Sequence, residues 1–139
     1  MPVTLRARDL IDKNIVVLDA SDNVSTAINK MVSSNVWSLI VEKQGLPVGV
    51  VTERDVLRRC FGKGLAPSTV KLEEIMSSPI ITVGPDASVG EMMEMMVEKS
   101  IRRVFVVENG KVIGRVTQTG LFQDTLNVMM SLSSLRYSM

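Results

Sequence analysis

A gapless internal repeat constrains this chain more than any other feature of its sequence. When the sequence is compared with itself so that Pro2 meets Pro67, it aligns without interruption from Pro2 to Leu57. Identical pairs include Pro2/Pro67, Thr4/Thr69, Ile15/Ile80, Val24/Val89, Met31/Met96, Val32/Val97, Val41/Val106, Gly45/Gly110, Gly49/Gly114, Val51/Val116 and Thr52/Thr117. Two units are too few for a solenoid. The repeat therefore predicts a pseudo-twofold module of two units, residues 1–65 and 66–139, in which each unit covers the apolar face of the other.

Each unit changes its hydrophobic period in the same order, which the first unit illustrates. A helical period runs from Val24 to Val32. Short apolar runs on both sides of Gln44-Gly45 indicate a β-hairpin. A short strand near Ile15–Leu18 precedes the helix, and a second helix begins after Thr52. Because the same pattern recurs in the second unit, the predicted class is α/β (α+β), with the order strand, helix, strand, strand, helix in each unit and sheets packed on helices.

A methionine-rich stretch lies in the first helix of the second unit. Met92, Met93 and Met96 fall on the apolar stripe of this helix. Methionine is a flexible filler of hydrophobic cores, so the spacing favours core packing over a promiscuous binding groove.

The composition excludes several classes of function. The 139 residues include no histidine and a single cysteine, Cys60. This removes the commonest general base near neutral pH and every Ser-His or Cys-His pair, and it leaves no zinc site built from histidine or several thiolates. The formal net charge of +1 gives no overall attraction to nucleic acid. We therefore expect no catalytic activity, no metal site and no nucleic-acid partner.

No segment of the sequence predicts export or membrane insertion. Arg6, Arg8 and Asp9 interrupt the first dozen residues, where a signal peptide would be apolar. No charge-free stretch is longer than Thr125–Leu135, which is shorter than a membrane span. A lone cysteine excludes an internal disulfide and fits a reducing compartment. We expect a cytoplasmic protein with no membrane partner.

The junction between the last strand and the last helix of the first unit carries the most informative polar residues. It reads Gly49-Val50-Val51-Thr52-Glu53-Arg54-Asp55. In one interpretation Thr52 and Asp55 form a capping box, each accepting from the backbone amide of the other. In the other, free amides and Arg54 attract a phosphate while Asp55 accepts from ribose hydroxyls. The heptapeptide alone favours the capping box.

The tandem units, their element order and the Gly-x-x-Thr-x-x-Asp junction resemble the cystathionine-β-synthase (CBS) domain pair, also called a Bateman module. The resemblance covers about residues 5 to 130. It implies a disc-like module with two clefts that commonly bind AMP, ATP or S-adenosyl compounds. It also implies that the motif Asp holds the ribose, that the Thr faces the phosphate, and that each cleft receives backbone and basic residues from the other unit.

When the binding residues of the family are carried over by position, the resemblance implies one cleft that has the polar residues that nucleotide binding needs. Its residues are Thr52, Arg54 and Asp55 at the junction, Ser78, Pro79, Ile80 and Ile81 along the base, and Arg102 and Arg103 facing the phosphates. Because side chains alternate along a strand, one of the two arginines is expected to point to solvent.

The second cleft departs from the family pattern. Its residues would be Ile15, Val16, Trp37, Ser38, Thr117, Thr119 and Gly120. Gly120 stands where the ribose carboxylate belongs, and Trp37 and Ser38 replace the two arginines. Trp37 either stacks on a base or packs structurally. We therefore expect one main nucleotide site per chain and a weak or empty second cleft.

These features lead to one leading hypothesis and one alternative. The hypothesis is a regulatory module that requires no cofactor, senses an adenine nucleotide (AMP, ADP, ATP or an S-adenosyl compound) in the cleft between its units, and signals to a separate downstream protein. The alternative is a dimeric scaffold in which Thr52 and Asp55 only cap a helix. The apolar run Leu121–Leu135 has no charge after Asp124 and predicts a homodimer through the final helices, as the resemblance also implies.

Overall fold

The chain is organised in two compact units. The computed structural model describes residues 5–137, and the side chains of residues 5–133. One unit comprises residues 13–81, and the other combines residues 5–12 with residues 82–137. These units do not coincide with the predicted division into residues 1–65 and 66–139, because each contains a short segment that belongs by sequence to the other repeat.

The elements follow the predicted order in both repeats, with one short helix added before each. In chain order they are α1 (Ala7–Leu10), β1 (Val17–Asp19), α2 (Val24–Ser34), β2 (Ser38–Lys43), β3 (Leu46–Thr52), α3 (Glu53–Asp55), α4 (Leu72–Ile75), β4 (Thr82–Val83), α5 (Val89–Lys99), β5 (Arg103–Glu108), β6 (Lys111–Thr117) and α6 (Gln118–Tyr137). A π-helical turn, Val56–Cys60, and a 3-10 turn, Phe61–Lys63, extend α3. The predicted α+β class is confirmed.

Each unit contains one three-stranded sheet, with the order β1-β2-β3 or β4-β5-β6. The first two strands of each sheet are parallel, and the last two form an antiparallel hairpin. Gln44-Gly45 and Asn109-Gly110 turn the hairpins with positive φ angles, as the tightest hairpin turns require. Both hairpins also shift register at the same repeat position, after Val41 and after Val106. The repeat thus extends to the irregularities of the sheets.

Helices α2 and α5 bury part of their apolar stripe and leave its edge exposed. The buried members are Val24, Ala27 and Met31 in α2, and Met92 and Met96 in α5. Val32 and Val97, which share a repeat position, are 77% and 79% exposed, and Met93 is 52% exposed. The prediction that Met93 lies in the core is therefore wrong, because the sheet beneath each helix covers only part of the width of its stripe.

A chain segment pairs with the last strand of each sheet through one isolated antiparallel bridge. We call these the crossing segments: residues 66–81 in the unit of residues 13–81, and residues 5–12 in the other unit. In the unit of residues 13–81, Ser77 and Val50 exchange backbone hydrogen bonds of 2.9 and 2.8 Å. In the other unit, Asp12 and Arg115 exchange two bonds of 2.9 Å. Ser77 and Asp12 occupy the same repeat position, so both repeats use the same crossing. These bridges explain why residues 66–81 belong to the unit of residues 13–81 and why residues 5–12 belong to the unit of residues 82–137.

The crossings require the glycines that both repeats carry at the start of the junction motif. A Cβ added to Gly49 would lie 2.7 Å from Met76 Sδ and 2.9 Å from the Ser77 carbonyl oxygen. A Cβ at Gly114 would overlap Ile11 Cγ2 and lie 2.9 Å from the Asp12 carbonyl oxygen. The identity of Gly49 and Gly114 therefore follows from a close approach of two backbones.

We expect the Gly49→Ala substitution to lower the free energy of unfolding by about 2 kcal/mol, because overpacking against a fixed backbone oxygen typically costs about 1–3 kcal/mol. Gly90→Ala is the matched control. Gly90 lies in α5, and the nearest atom to its added Cβ is 3.9 Å away, so alanine should stabilise the helix by about 0.5 kcal/mol. Urea unfolding measures both changes, and an equal effect of the two substitutions would contradict the close approach at Gly49.

Helix α6 leaves most of its apolar surface exposed. Leu121 in its first turn is buried, whereas Phe122 is 71% exposed and Met129 and Met130 are each 60% exposed. Leu135 lies outside the residues whose side chains are described. None of the described helices is long and apolar enough to cross a bilayer. The helix is therefore a surface element, and beyond its first turn it does not fold back onto its own sheet.

Candidate functional site

The junction from Thr52 to Asp55 forms the capping box that the sequence predicts. Thr52 Oγ1 accepts from the Asp55 amide at 3.3 Å, and Asp55 Oδ2 accepts from the Thr52 amide at 2.9 Å. The Thr52 hydroxyl also donates to Asp55 Oδ2 at 3.2 Å. Asp55 is only 5% exposed. The capping role of this carboxylate is therefore confirmed.

Two residues that the sequence analysis did not single out face the other oxygen of Asp55. The Ser77 hydroxyl donates to Asp55 Oδ1 at 2.9 Å, and Arg59 Nε lies 3.9 Å from the same oxygen. The spacing of four between Asp55 and Arg59 is a helical pairing signal that could have indicated Arg59. Ser77 had no comparable local signal, because it reaches Asp55 through the crossing segment.

Arg59 links the crossing segment to the junction by hydrogen bonds. Its Nη1 donates to the carbonyl oxygens of Ile75 at 3.1 Å and Met76 at 2.8 Å. These carbonyls lie at the end of α4, where backbone acceptors have no partner within the helix. Arg59 therefore satisfies that helix end and holds the chain immediately before Ser77 against the junction.

The structure brings some of the predicted first-cleft residues into one unit and leaves two in the other. Thr52, Arg54, Asp55 and residues 78–81 all belong to the unit of residues 13–81. Arg54, Ser78 and Pro79 are exposed, while Ile80 and Ile81 are half-buried. Arg102 and Arg103 belong to the other unit, where Arg102 is exposed and Arg103 is half-buried as the first residue of β5.

The junction of the second repeat keeps the cap and lacks the carboxylate. Thr117 Oγ1 accepts from the Gly120 amide at 2.9 Å. Two positions before Thr117, Arg115 Nη2 lies 3.1 Å from Asp12 Oδ2, and the Arg115 side chain is only 12% exposed. Asp12 has the repeat position of Ser77, and Gly120 has that of Asp55. The acidic group of this junction therefore lies on the crossing segment and pairs with a guanidinium.

The remaining residues of the predicted second cleft occupy different surroundings. Thr119 is exposed in the first turn of α6, and Ile15 and Val16 are half-buried before β1. Ser38 is buried opposite Thr52 in the β2–β3 register.

Trp37 is 65% exposed on a groove of about 430 Å³, which is lined by Ile28, Met31, Val32, Asn35, Val36, Trp37, Glu53, Val56, Leu57 and Phe61. We call this surface the α2 groove, and it is apolar over most of its lining.

Comparison with known proteins places the chain in a family. The CBS domain matches it twice, at residues 7–62 and 72–124. An uncharacterized protein of Methanopyrus kandleri is 42% identical over 86 residues, which make up 61% of this chain and 44% of that protein. The chain thus spans less than half the length of that relative.

Two solved structures have the same fold. The crystal structure of an uncharacterized conserved protein from Pyrococcus horikoshii has a TM-score of 0.81 and 28% identity, covering 90% of this chain and 95% of that chain. The hexameric CBS-CP12 protein from bloom-forming cyanobacteria has a TM-score of 0.80 and 28% identity, covering 87% of this chain and 68% of that chain. The chain therefore belongs to the CBS domain family, whose tandem domains generally act as regulatory ligand-sensing modules rather than as catalysts.

Proposed function

We propose that this chain binds an adenosine-containing nucleotide at the Thr52–Asp55 junction and that occupancy of this site regulates a separate protein. The observation that supports the proposal is the arrangement around Asp55. A carboxylate, a threonine hydroxyl and the segment leading to residues 78–81 converge within one unit. A carboxylate is the side chain best able to accept hydrogen bonds from the hydroxyls of a ribose.

The asymmetry between the repeats supports one main site per chain. Thr52 and Thr117 cap their helices alike, so the cap by itself needs no acidic partner at the third helical position. Asp55 is present in one junction, and Gly120 replaces it in the other. The cap therefore does not explain why Asp55 is acidic, whereas a ribose ligand would.

A thermal-shift screen with adenosine, AMP, ADP, ATP and S-adenosylmethionine tests the proposal, with GMP and GTP as comparisons. A ligand at 100 times its dissociation constant adds about 2.7 kcal/mol of stability, which for a chain of this length raises the melting temperature by about 5 to 10 °C. Equilibrium dialysis then gives the affinity. If no nucleotide shifts the melting temperature and none binds at 1 mM, the proposal fails and the scaffold alternative stands.

Arg103 is proposed as a phosphate contact on the strength of the family resemblance. We expect Arg103→Ala to weaken ATP binding about tenfold and to leave adenosine binding unchanged, since a charge-assisted hydrogen bond of about 1.5 kcal/mol or more is lost only when a phosphate is present. The exposed Arg102 provides the control, because Arg102→Ala removes the same charge one position earlier. Equal losses for ATP and adenosine would assign Arg103 a structural role.

We also propose that the chain forms a homodimer. The specific observation is exposed apolar surface on helices in both units: the α2 groove in one, and Val97 with the outer side chains of α6 in the other. A contiguous apolar surface such as the α2 groove usually marks an interface. Assembly also occurs in a neighbour of this fold, since CBS-CP12 is hexameric. A dimer of this kind suits both the sensor and the scaffold hypothesis.

A further inference from the structure

The Asp55 carboxylate is almost fully covered by neighbouring groups in the structure. Oδ2 receives the amide and the hydroxyl of Thr52, at 2.9 and 3.2 Å. Oδ1 receives the Ser77 hydroxyl at 2.9 Å and faces Arg59 Nε at 3.9 Å. A carboxylate offers about four lone-pair sites, and Asp55 is 5% exposed. Three of these sites are taken and one remains on Oδ1, but the carboxylate is almost fully covered. A ribose hydroxyl therefore reaches Oδ1 only if one of the covering groups moves aside.

The groups that cover the carboxylate differ in what their departure requires. The Thr52 amide and Thr52 Oγ1 belong to the capping box, so moving them disrupts the start of α3. The Thr52 hydroxyl proton can turn away, but Oγ1 then stays beside Oδ2. Arg59 is held by the carbonyl oxygens of Ile75 and Met76. The Ser77 hydroxyl can move aside by rotation about a single side-chain bond without breaking a helix cap or a backbone contact.

The backbone of Ser77 stays in place during that rotation. Its amide and its carbonyl are both bonded to Val50, at 2.8 and 2.9 Å, and Arg59 holds the carbonyl of the preceding residue. Ser77 as a whole is exposed, so a rotated hydroxyl can donate to water instead. Exposed side chains change rotamer within picoseconds to nanoseconds. The exchange is therefore local and fast, and it needs no movement of the crossing segment.

From these contacts we infer that Ser77 competes with the ligand: its hydroxyl occupies the acceptor position on Asp55 Oδ1 that a ribose hydroxyl takes when a nucleotide binds. This inference rests on the proposed function and adds a residue that sets the affinity of the site.

The second repeat differs from the first at both of these positions. There Gly120 replaces Asp55 and Asp12 replaces Ser77, and Asp12 Oδ2 pairs with Arg115 at 3.1 Å. Where the motif carboxylate is missing, the small hydroxyl donor on the crossing segment is missing too. Ser77 and Asp55 are therefore a matched donor and acceptor of one junction.

Titration calorimetry with AMP and with 2′,3′-dideoxy-AMP tests the inference on the full chain. We expect Ser77→Ala to bind AMP about tenfold more tightly than the unmodified chain, which corresponds to about 1.4 kcal/mol, because binding no longer breaks the Ser77 bond. The affinity for dideoxy-AMP should not increase, since this ligand brings no hydroxyl to Oδ1. Ser77→Thr restores the hydroxyl and should return the AMP affinity to the unmodified range.

The outcomes separate this inference from the proposed function. AMP binding that is equal or weaker in Ser77→Ala overturns the competition and leaves the nucleotide site standing. An equal gain for AMP and dideoxy-AMP overturns it as well, because the gain then does not come from a ribose hydroxyl. If neither the unmodified chain nor Ser77→Ala binds any adenosine-containing nucleotide of the thermal-shift screen at 1 mM, the inference and the proposed function fail together.

Discussion

The Asp55→Asn variant is expected to bind AMP and ATP at least about 100-fold more weakly than the unmodified chain. A hydrogen bond to a charged group contributes about 1.5–3 kcal/mol, and the amide also places an NH₂ group where an acceptor is needed. Asparagine keeps the shape of the side chain and one acceptor oxygen, so the bond from the Thr52 amide can persist. Equilibrium dialysis with labelled nucleotide measures the loss.

Asparagine is a better test than alanine because Asp55 is more than a cap. Alanine would remove the acceptor of the Thr52 amide, the Thr52 hydroxyl and the Ser77 hydroxyl together, and lost binding could then reflect a damaged junction. The melting temperature of Asp55→Asn is the control for folding. Unchanged nucleotide affinity in a folded Asp55→Asn variant would remove Asp55 from the site.

The Met129→Asp variant is expected to abolish the homodimer. Met129 is 60% exposed on α6, beside the equally exposed Met130, and an unpaired carboxylate buried in an apolar interface costs several kcal/mol. Light scattering coupled to size-exclusion chromatography gives the mass directly. We expect about twice 15.3 kDa for the unmodified chain and a monomer for the variant.

Ser131→Asp is the matched control on the same helix. It adds the same charge two residues away from Met129. Ser131 lies on the side of α6 that carries Asn127, whose carbonyl oxygen accepts from the Ser131 hydroxyl, and Asp124. We expect this variant to remain dimeric. A monomeric unmodified chain at all concentrations would contradict the dimer, and a dimeric Met129→Asp variant would place the interface elsewhere.

Much of the fold follows from patterns that are local in the sequence. The apolar spacing of Val24, Ala27 and Met31 identifies a helix, and Asn109-Gly110 identifies a hairpin turn, because both depend on neighbours within a few residues. The capping box of Thr52 and Asp55 is local in the same sense. The internal repeat then extends each local prediction to a second copy. The final helix α6 was predictable for the same reason.

Contacts between distant parts of the chain were not predictable in this way. The stripe that includes Val32 and Val97 is apolar in the sequence, but only the packed structure decides that its edge stays uncovered. The short helices α1 and α4 escaped prediction because four residues hold too few apolar positions to establish a period.

By itself, the sequence determined the repeat, the order of the elements, the helix caps and the polar residues of the junction. The tertiary structure decided which unit each crossing segment joins, why Gly49 and Gly114 carry no side chain, and that Ser77 and Arg59 face Asp55. The physical reason is sequence separation. Ser77 lies 22 residues from Asp55, and no periodicity or propensity relates residues that far apart. Their contact forms only because the Val50–Ser77 backbone bonds and the missing side chain at Gly49 bring two chain segments within hydrogen-bonding distance.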